Sequence, residues 1–368
     1  MKYQTVNISI LFILTLLGIR CQFQKTSQEY VHLDLTNEIV VPETYIVSRT
    51  IDEIRIDGRD LEKAWSNAPQ TKPFIDIEGK KKVPFSTFVK MLWDDNYLYV
   101  FAFLEEPHIW GDIIKRDAVI FHNNDFEVFI SPSKTTAPYA EIEINALNTV
   151  WDLLLTKPYR DGGKAINEWN LDGLITKVHI EGTLNNSKDI DQYWSVEMAI
   201  PLKPLTALKK RHNRLPEPGE QWRVNFSRVN WDFSRSNDQY ARAKDSLGKL
   251  LPEYNWVWSN QNVINMHEPE KWGTIQFGPE PDSSSEKFTP EANRIEEQAI
   301  YAIYRKVKRG DLLDKDLNPG QLLKLSIQVQ SESFNGNIQK SPSGFEIILN
   351  TKEGSQLILD ESGNLTSK

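Results

Sequence analysis

The chain has 368 residues, a formal charge of −8 at pH 7, and a hydrophobic fraction of 39% that includes eleven Trp and sixteen Phe. This length suits roughly two domains, and the acidic balance excludes the basic, clustered footprint of a nucleic-acid partner. The single cysteine excludes an intramolecular disulfide, so the fold must be held by its core alone.

In chain order, residues 1–21 come first. Lys2 precedes an apolar run from Ile8 to Ile19, broken by Ser9, Thr15 and Gly18. The run is too short to span a bilayer comfortably and reads as a signal-peptide core. Export to the periplasm, cell surface or extracellular space is therefore expected. Cys21 sits where that core ends, and two readings stay open. It is the lipidated N-terminus of a lipoprotein, or a chance cysteine in a cleaved peptide, since Ile19 and Arg20 are not the small residues that normally precede a lipidated cysteine. A lipid there would be the one expected link to a membrane. Residues 22–44 are polar and patternless and read as a tether.

Residues 45–278 are expected to form one mainly β domain, an antiparallel two-sheet sandwich of jelly-roll type. Segments 85–93, 125–130, 194–200, 222–229 and 272–277 alternate apolar and polar residues and are rich in aromatics. That alternation marks half-buried strands, and several of them between loops imply two sheets packed face to face. Leu61, Ala64 and Trp65 have helical spacing and predict a short helix capping one end of the sandwich. Residues 97–104 are apolar on both faces, as in a central strand covered on both sides. The long connection 105–124 is the expected cover. In 125–130, Phe126, Val128 and Ile130 point one way and Asp125, Glu127 and Phe129 the other; in 140–145, Glu141, Glu143 and Asn145 oppose three apolar residues. Trp151 begins a further apolar run, and 157–163 is a loop.

Residues 279–288 turn to Pro, Ser and acidic residues and read as a linker. The remainder, 289–368, predicts a small α+β module. Thr289-Pro290-Glu291 is a helix start, Ile295, Ala299, Ile303 and Val307 form a stripe, and 344–350 with 355–360 form a hairpin around Glu353-Gly354.

Several pieces taken in order resemble the family 9 carbohydrate-binding modules and their DOMON-related relatives over residues 51–277. They are Ile56-Asp57-Gly58 with Trp65, Leu92-Trp93-Asp94-Asp95-Asn96-Tyr97, Asp125-Phe126-Glu127-Val128, Trp194-Ser195-Val196-Glu197, Trp222-Arg223-Val224, and Pro269-Glu270-Lys271-Trp272-Gly273. The resemblance implies a β-sandwich that holds the end of an oligosaccharide or polysaccharide between two tryptophans, often with structural calcium nearby. It places the first tryptophan near Phe121, a sugar-bonding carboxylate on Glu127, and a basic residue near Glu143, where the charge is reversed. The second tryptophan falls near Met266, with Trp258 as a substitute if its loop is repositioned. Asn145 and Trp151 complete the candidate binding face, against the plainer alternative of a solvated sheet face with Trp151 in core packing.

The expected function is that of an exported, non-catalytic carbohydrate-binding protein in glycan capture or carbohydrate catabolism. One alternative is a glycoside hydrolase using Asp125 and Glu127, which alternation puts about 7 Å apart on one strand face. Another is a b-type haem carrier, with Met91, Met198, His108, His122 and His267 as candidate ligands; a covalent haem is excluded because no Cys-x-x-Cys-His occurs. Calcium is a candidate cofactor, because Asp94, Asp95, Asp112, Asp117 and Asp125 offer hard oxygen donors. No metal-ligand set is assigned.

Overall fold

A computed structural model describes residues 30–132, 134–209, 213–236, 239–280, 287–312 and 318–368. The expected signal peptide with Cys21, tether residues 22–29 and linker residues 281–286 lie outside the described residues.

The alternating segments become strands of one long, curled sheet. Its order runs Ile175–Glu181, Tyr193–Pro201, Tyr97–Glu105, Thr87–Trp93, Thr44–Arg49, Gly273–Phe277, Gln221–Asn230, Asp125–Ser131, Tyr139–Asn145, Val150–Leu155 and Ala165–Ile166. The two halves of this sheet face each other as a sandwich. Most pairings are antiparallel, but Thr44–Arg49 runs parallel to both of its neighbours and joins the halves. Between them lie Trp93, Trp194, Val196 and Met198 from one half and Phe126, Val128, Trp222, Val224 and Phe226 from the other, each at most 1% exposed. The alternation predicts these inward sets, because successive side chains on a strand take opposite faces. Met91 and Met198 are fully buried packing residues in this same core, which does not favour their use as haem ligands.

The cover over the doubly apolar Tyr97–Glu105 strand corrects an expectation. Tyr99 and Phe101 are capped by Ile54, Ala64 and Trp65, not by the 105–124 connection. The helical spacing becomes a 3-10 turn, Lys63–Asn67, and it lies over this outer face rather than at the end of the sandwich. Glu197 fixes it there, accepting hydrogen bonds from the backbone N–H groups of Asp57 and Gly58 and from the Trp65 indole. The connection instead runs to the end of the sandwich, where Trp110 packs with Val229 and Trp231.

The C-terminal part is a six-stranded sheet packed against the helix Arg294–Arg309. The hairpin pairs Gly344–Asn350 with Gln356–Asp360. Two features depart from the sequence reading. The helix begins at Arg294, because Thr289 is held in the sandwich instead: its N–H donates to Gln276 and its carbonyl accepts from Gln221. Within the expected tether, Val31–Asp34 forms an edge strand parallel to Leu322–Val329. Four residues of alternation are too few to stand out locally, and it is the waiting sheet edge that selects them. The tail also docks on the sandwich, where Glu297 pairs with Arg223 and Arg305 pairs with Glu268 and Glu270.

Candidate functional site

The outward faces of three adjacent strands form the floor of an open groove of about 230 Å³. Cross-strand register aligns Glu127 with Glu143 and Glu143 with Trp151, while Phe129 lies opposite Glu141. Four walls come from elsewhere in the chain. They are Phe121 on the 3-10 turn Ile120–His122, Tyr159 in the loop after Val150–Leu155, Met266 and His267 before the last sandwich strand, and Glu253 with Asn255.

Phe121 is held at both backbone ends. Its N–H donates to Glu143 at 3.0 Å, and its carbonyl accepts the Trp231 indole N–H at 2.7 Å. Glu143 therefore positions an aromatic ring as well as contributing charge. On the far wall, His267 Nδ1 lies 2.7 Å from the Tyr139 hydroxyl, and its ring meets the Tyr159 ring edge-on at 4.6 Å. Burial, and then Arg160, lower the His267 pKa to about 4, so the imidazole is neutral at pH 7.

Five of the seven candidate residues line this groove: Phe121, Glu127, Glu143, Trp151 and Met266. Two lie elsewhere. Asn145 is fully buried below the floor, donating to the Ile113 carbonyl and accepting from the Leu147 and Thr149 N–H groups, so it shapes a turn. Trp258 is packed between the sheets against Phe226, where it cannot reach a ligand. Its loop is not repositioned, because Gly273 leaves just enough room for its ring: a Cβ there would come within 2.4 Å. Sequence reasoning left Tyr159, His267 and Glu253 out of the site. Only the loop signals around Tyr159 hinted at exposure.

Charge dominates the floor. Asp125, Glu127, Glu141 and Glu143 are each at most 5% exposed, and the charged neighbours acting on them are other carboxylates. Burial comes first in raising each of the four, and repulsion from neighbouring carboxylates, Glu253 in the case of Glu127, adds to it; Glu127 is pushed up to about 7. Two unit charges at 4.8 Å repel by about 3 kcal/mol at an effective dielectric of 20. The other acidic residues suggested for calcium have structural partners. Asp94 accepts from the Asn96 and Tyr97 N–H groups and the Tyr99 hydroxyl, Asp95 pairs with Arg49, Asp112 accepts from Asn123, and Asp117 lies 3.7 Å from Arg116.

Comparison with known proteins matches residues 56–215 to the family model described as carbohydrate family 9 binding domain-like. Among solved structures, the chain is similar to a family 9 carbohydrate binding module from Caldicellulosiruptor kristjanssonii in complex with cellotriose, at 16% identity and a TM-score of 0.43, covering 67% of this chain and 100% of that one. It is also similar to such a module from the same organism in complex with glucose, at 17% identity and a TM-score of 0.41, with the same coverage. No match was found among curated proteins.

Proposed function

We propose, from the match of residues 56–215 to the carbohydrate family 9 binding domain-like model, that the protein is an exported, non-catalytic carbohydrate-binding protein serving glycan capture or breakdown by others. The supporting observation is the groove itself, where the Phe121, Trp151 and Tyr159 rings surround the Glu127 and Glu143 carboxyls. A pyranose has apolar C–H faces that stack on such rings and hydroxyls that bond carboxyl oxygens, so this mixture suits a saccharide end. A groove open to solvent fits a chain terminus whose remainder leads away.

Hydrolysis is not favoured by the same acids. A glycosidase needs two carboxyls whose pKa values are driven apart, one protonated and one ionised. Among the described residues no base faces the four groove acids to hold one ionised beside a protonated partner, since their charged neighbours are other carboxylates.

A glycan array followed by calorimetry tests the proposal. Phe121→Ala is expected to cost roughly 2 kcal/mol, about a thirtyfold loss of affinity, with Glu127→Gln weakening binding less. Absence of binding to any neutral or acidic glycan at millimolar ligand would remove the proposed activity and leave an interaction scaffold.

A further inference from the structure

We propose that the floor of the groove is a divalent-cation site in which Asp125, Glu127 and Glu143 coordinate a calcium ion whose open side faces the groove. The further step, that this ion meets sugar hydroxyls, rests on the carbohydrate function proposed above.

The first support is geometric. Asp125 and Glu127 project from the same face of one strand, and Glu143 lies directly across from Glu127 on the next. Each of the three offers a carboxylate oxygen, and these oxygens all lie within 4.8 Å of one another. Donors this close together can all reach one ion at calcium's oxygen distance of about 2.4 Å. Magnesium usually keeps several waters and takes one or two carboxylates, so three convergent carboxylates suit calcium.

The second support is independent of the clustering. Among the described residues neither buried Asp125 carboxylate oxygen has a hydrogen-bond partner of good geometry, although the nearby Val229 amide favours the charged form. Asp125 is fully buried and set back from the groove lining, with its carboxylate directed among the Glu127 and Glu143 oxygens. A buried carboxylate without a well-formed hydrogen bond or a facing cation is costly to leave unmatched.

Third, other buried acids in this protein are compensated, by N–H donors as at Glu197 or by a cation. Glu106 has Arg228 at 3.4 Å, Glu297 has Arg223 at 2.6 Å, and Glu270 has Arg305 at 2.5 Å. Among the described residues, the groove acids have no such cationic side chain. A bound dication supplies the missing charge. Three carboxylates fill only part of the six to eight oxygen positions that calcium takes, which leaves sites for water or paired hydroxyls on the groove side.

The test uses the full chain, stripped with EDTA and titrated with calcium chloride alone. Calorimetry should show a site with Kd below about 1 mM and a rise in melting temperature on saturation. Asp125→Asn should remove that site, and Glu143→Gln should weaken it by more than about tenfold. Should Asp125→Asn fail to fold, terbium emission sensitised by the nearby Trp151 gives a local readout that Trp151→Phe should quench in an otherwise unaltered site. No calcium uptake at millimolar ion, or uptake unchanged in the Asp125 and Glu143 variants, overturns the site. Glycan binding measured with calcium and with EDTA separates the two proposals. Unaltered glycan binding in EDTA without calcium uptake overturns the cation site and leaves carbohydrate binding standing. Calcium uptake lost in Asp125→Asn, with no glycan bound in either buffer, supports the cation site and removes the carbohydrate function.

Discussion

Arg223, on a central strand of the sandwich, grips Glu297 of the C-terminal helix with both guanidinium ends, at 2.7 and 2.6 Å. Both side chains are at least nine-tenths buried, so this pair ties the tail to the sandwich through a dry contact. Breaking one partner of such a pair leaves the other charge stranded. Arg223→Ala is expected to lower stability by about 3 kcal/mol, with the double change Arg223→Met plus Glu297→Leu costing less than the sum of the single ones. Urea unfolding measures both. Because Val31–Asp34 also pairs with the tail sheet, a single proteolytic nick between residues 279 and 289 should leave the two parts co-eluting. Their separation on a sizing column would contradict a docked tail.

The two candidate tryptophans should behave oppositely. Trp258 is 3% exposed in the main core, so Trp258→Ala is expected to cost about 3–5 kcal/mol of stability. Trp151 borders the groove, and Trp151→Ala should reduce ligand affinity with a much smaller loss of stability. Denaturant midpoints and glycan titrations on the same variants distinguish the two roles.

Metal-free protein should gain stability on acidification. Glu127 is raised from 4.5 to about 7, first by burial and then by Glu253, with neighbouring Ser227 opposing. A folded-state pKa above the unfolded value means stability that is complete below about pH 4.5 and lost as pH rises through about 7, worth about 3 kcal/mol for a shift of this size. Asp125, Glu141 and Glu143 shift the same way, while His267, lowered to about 4, acts in the opposite direction. The acids outnumber the imidazole, so EDTA-treated protein should melt higher at about pH 5 than at about pH 8, and Glu141→Gln should flatten that slope. A melting temperature that climbs from acid to alkaline pH would show the cluster to be ionised at little cost.

Processing tests the N-terminal expectation. Protein recovered from its native host should lack about the first twenty residues. Under lipidation, Cys21→Ser should shift the protein from the membrane to the soluble fraction; simple secretion predicts no change in fractionation. Intact Met1 in a cytosolic fraction would contradict export.

The sandwich was legible in the linear sequence because alternation is a property of one strand at a time. Phe126 and Val128 point inward and Glu127 outward whatever the neighbouring strands do, so the core and the floor of the groove could be read locally. The walls could not be read in this way. Phe121, Tyr159 and His267 come from three loops far apart in the chain, and only the curl of the sheet brings them around one floor. Tertiary packing also decided which tryptophan was core, since Trp258 fits against Gly273 and Phe226 across a sheet contact that has no local signature. The state of the four acids was settled in the same way. Alternation placed them on a polar face, but their burial and, among the described residues, the unpartnered Asp125 oxygens and the absence of a facing base depend on what the rest of the fold lays over them. Strand direction is encoded within a few residues, whereas solvation and charge compensation are set by groups distant in sequence.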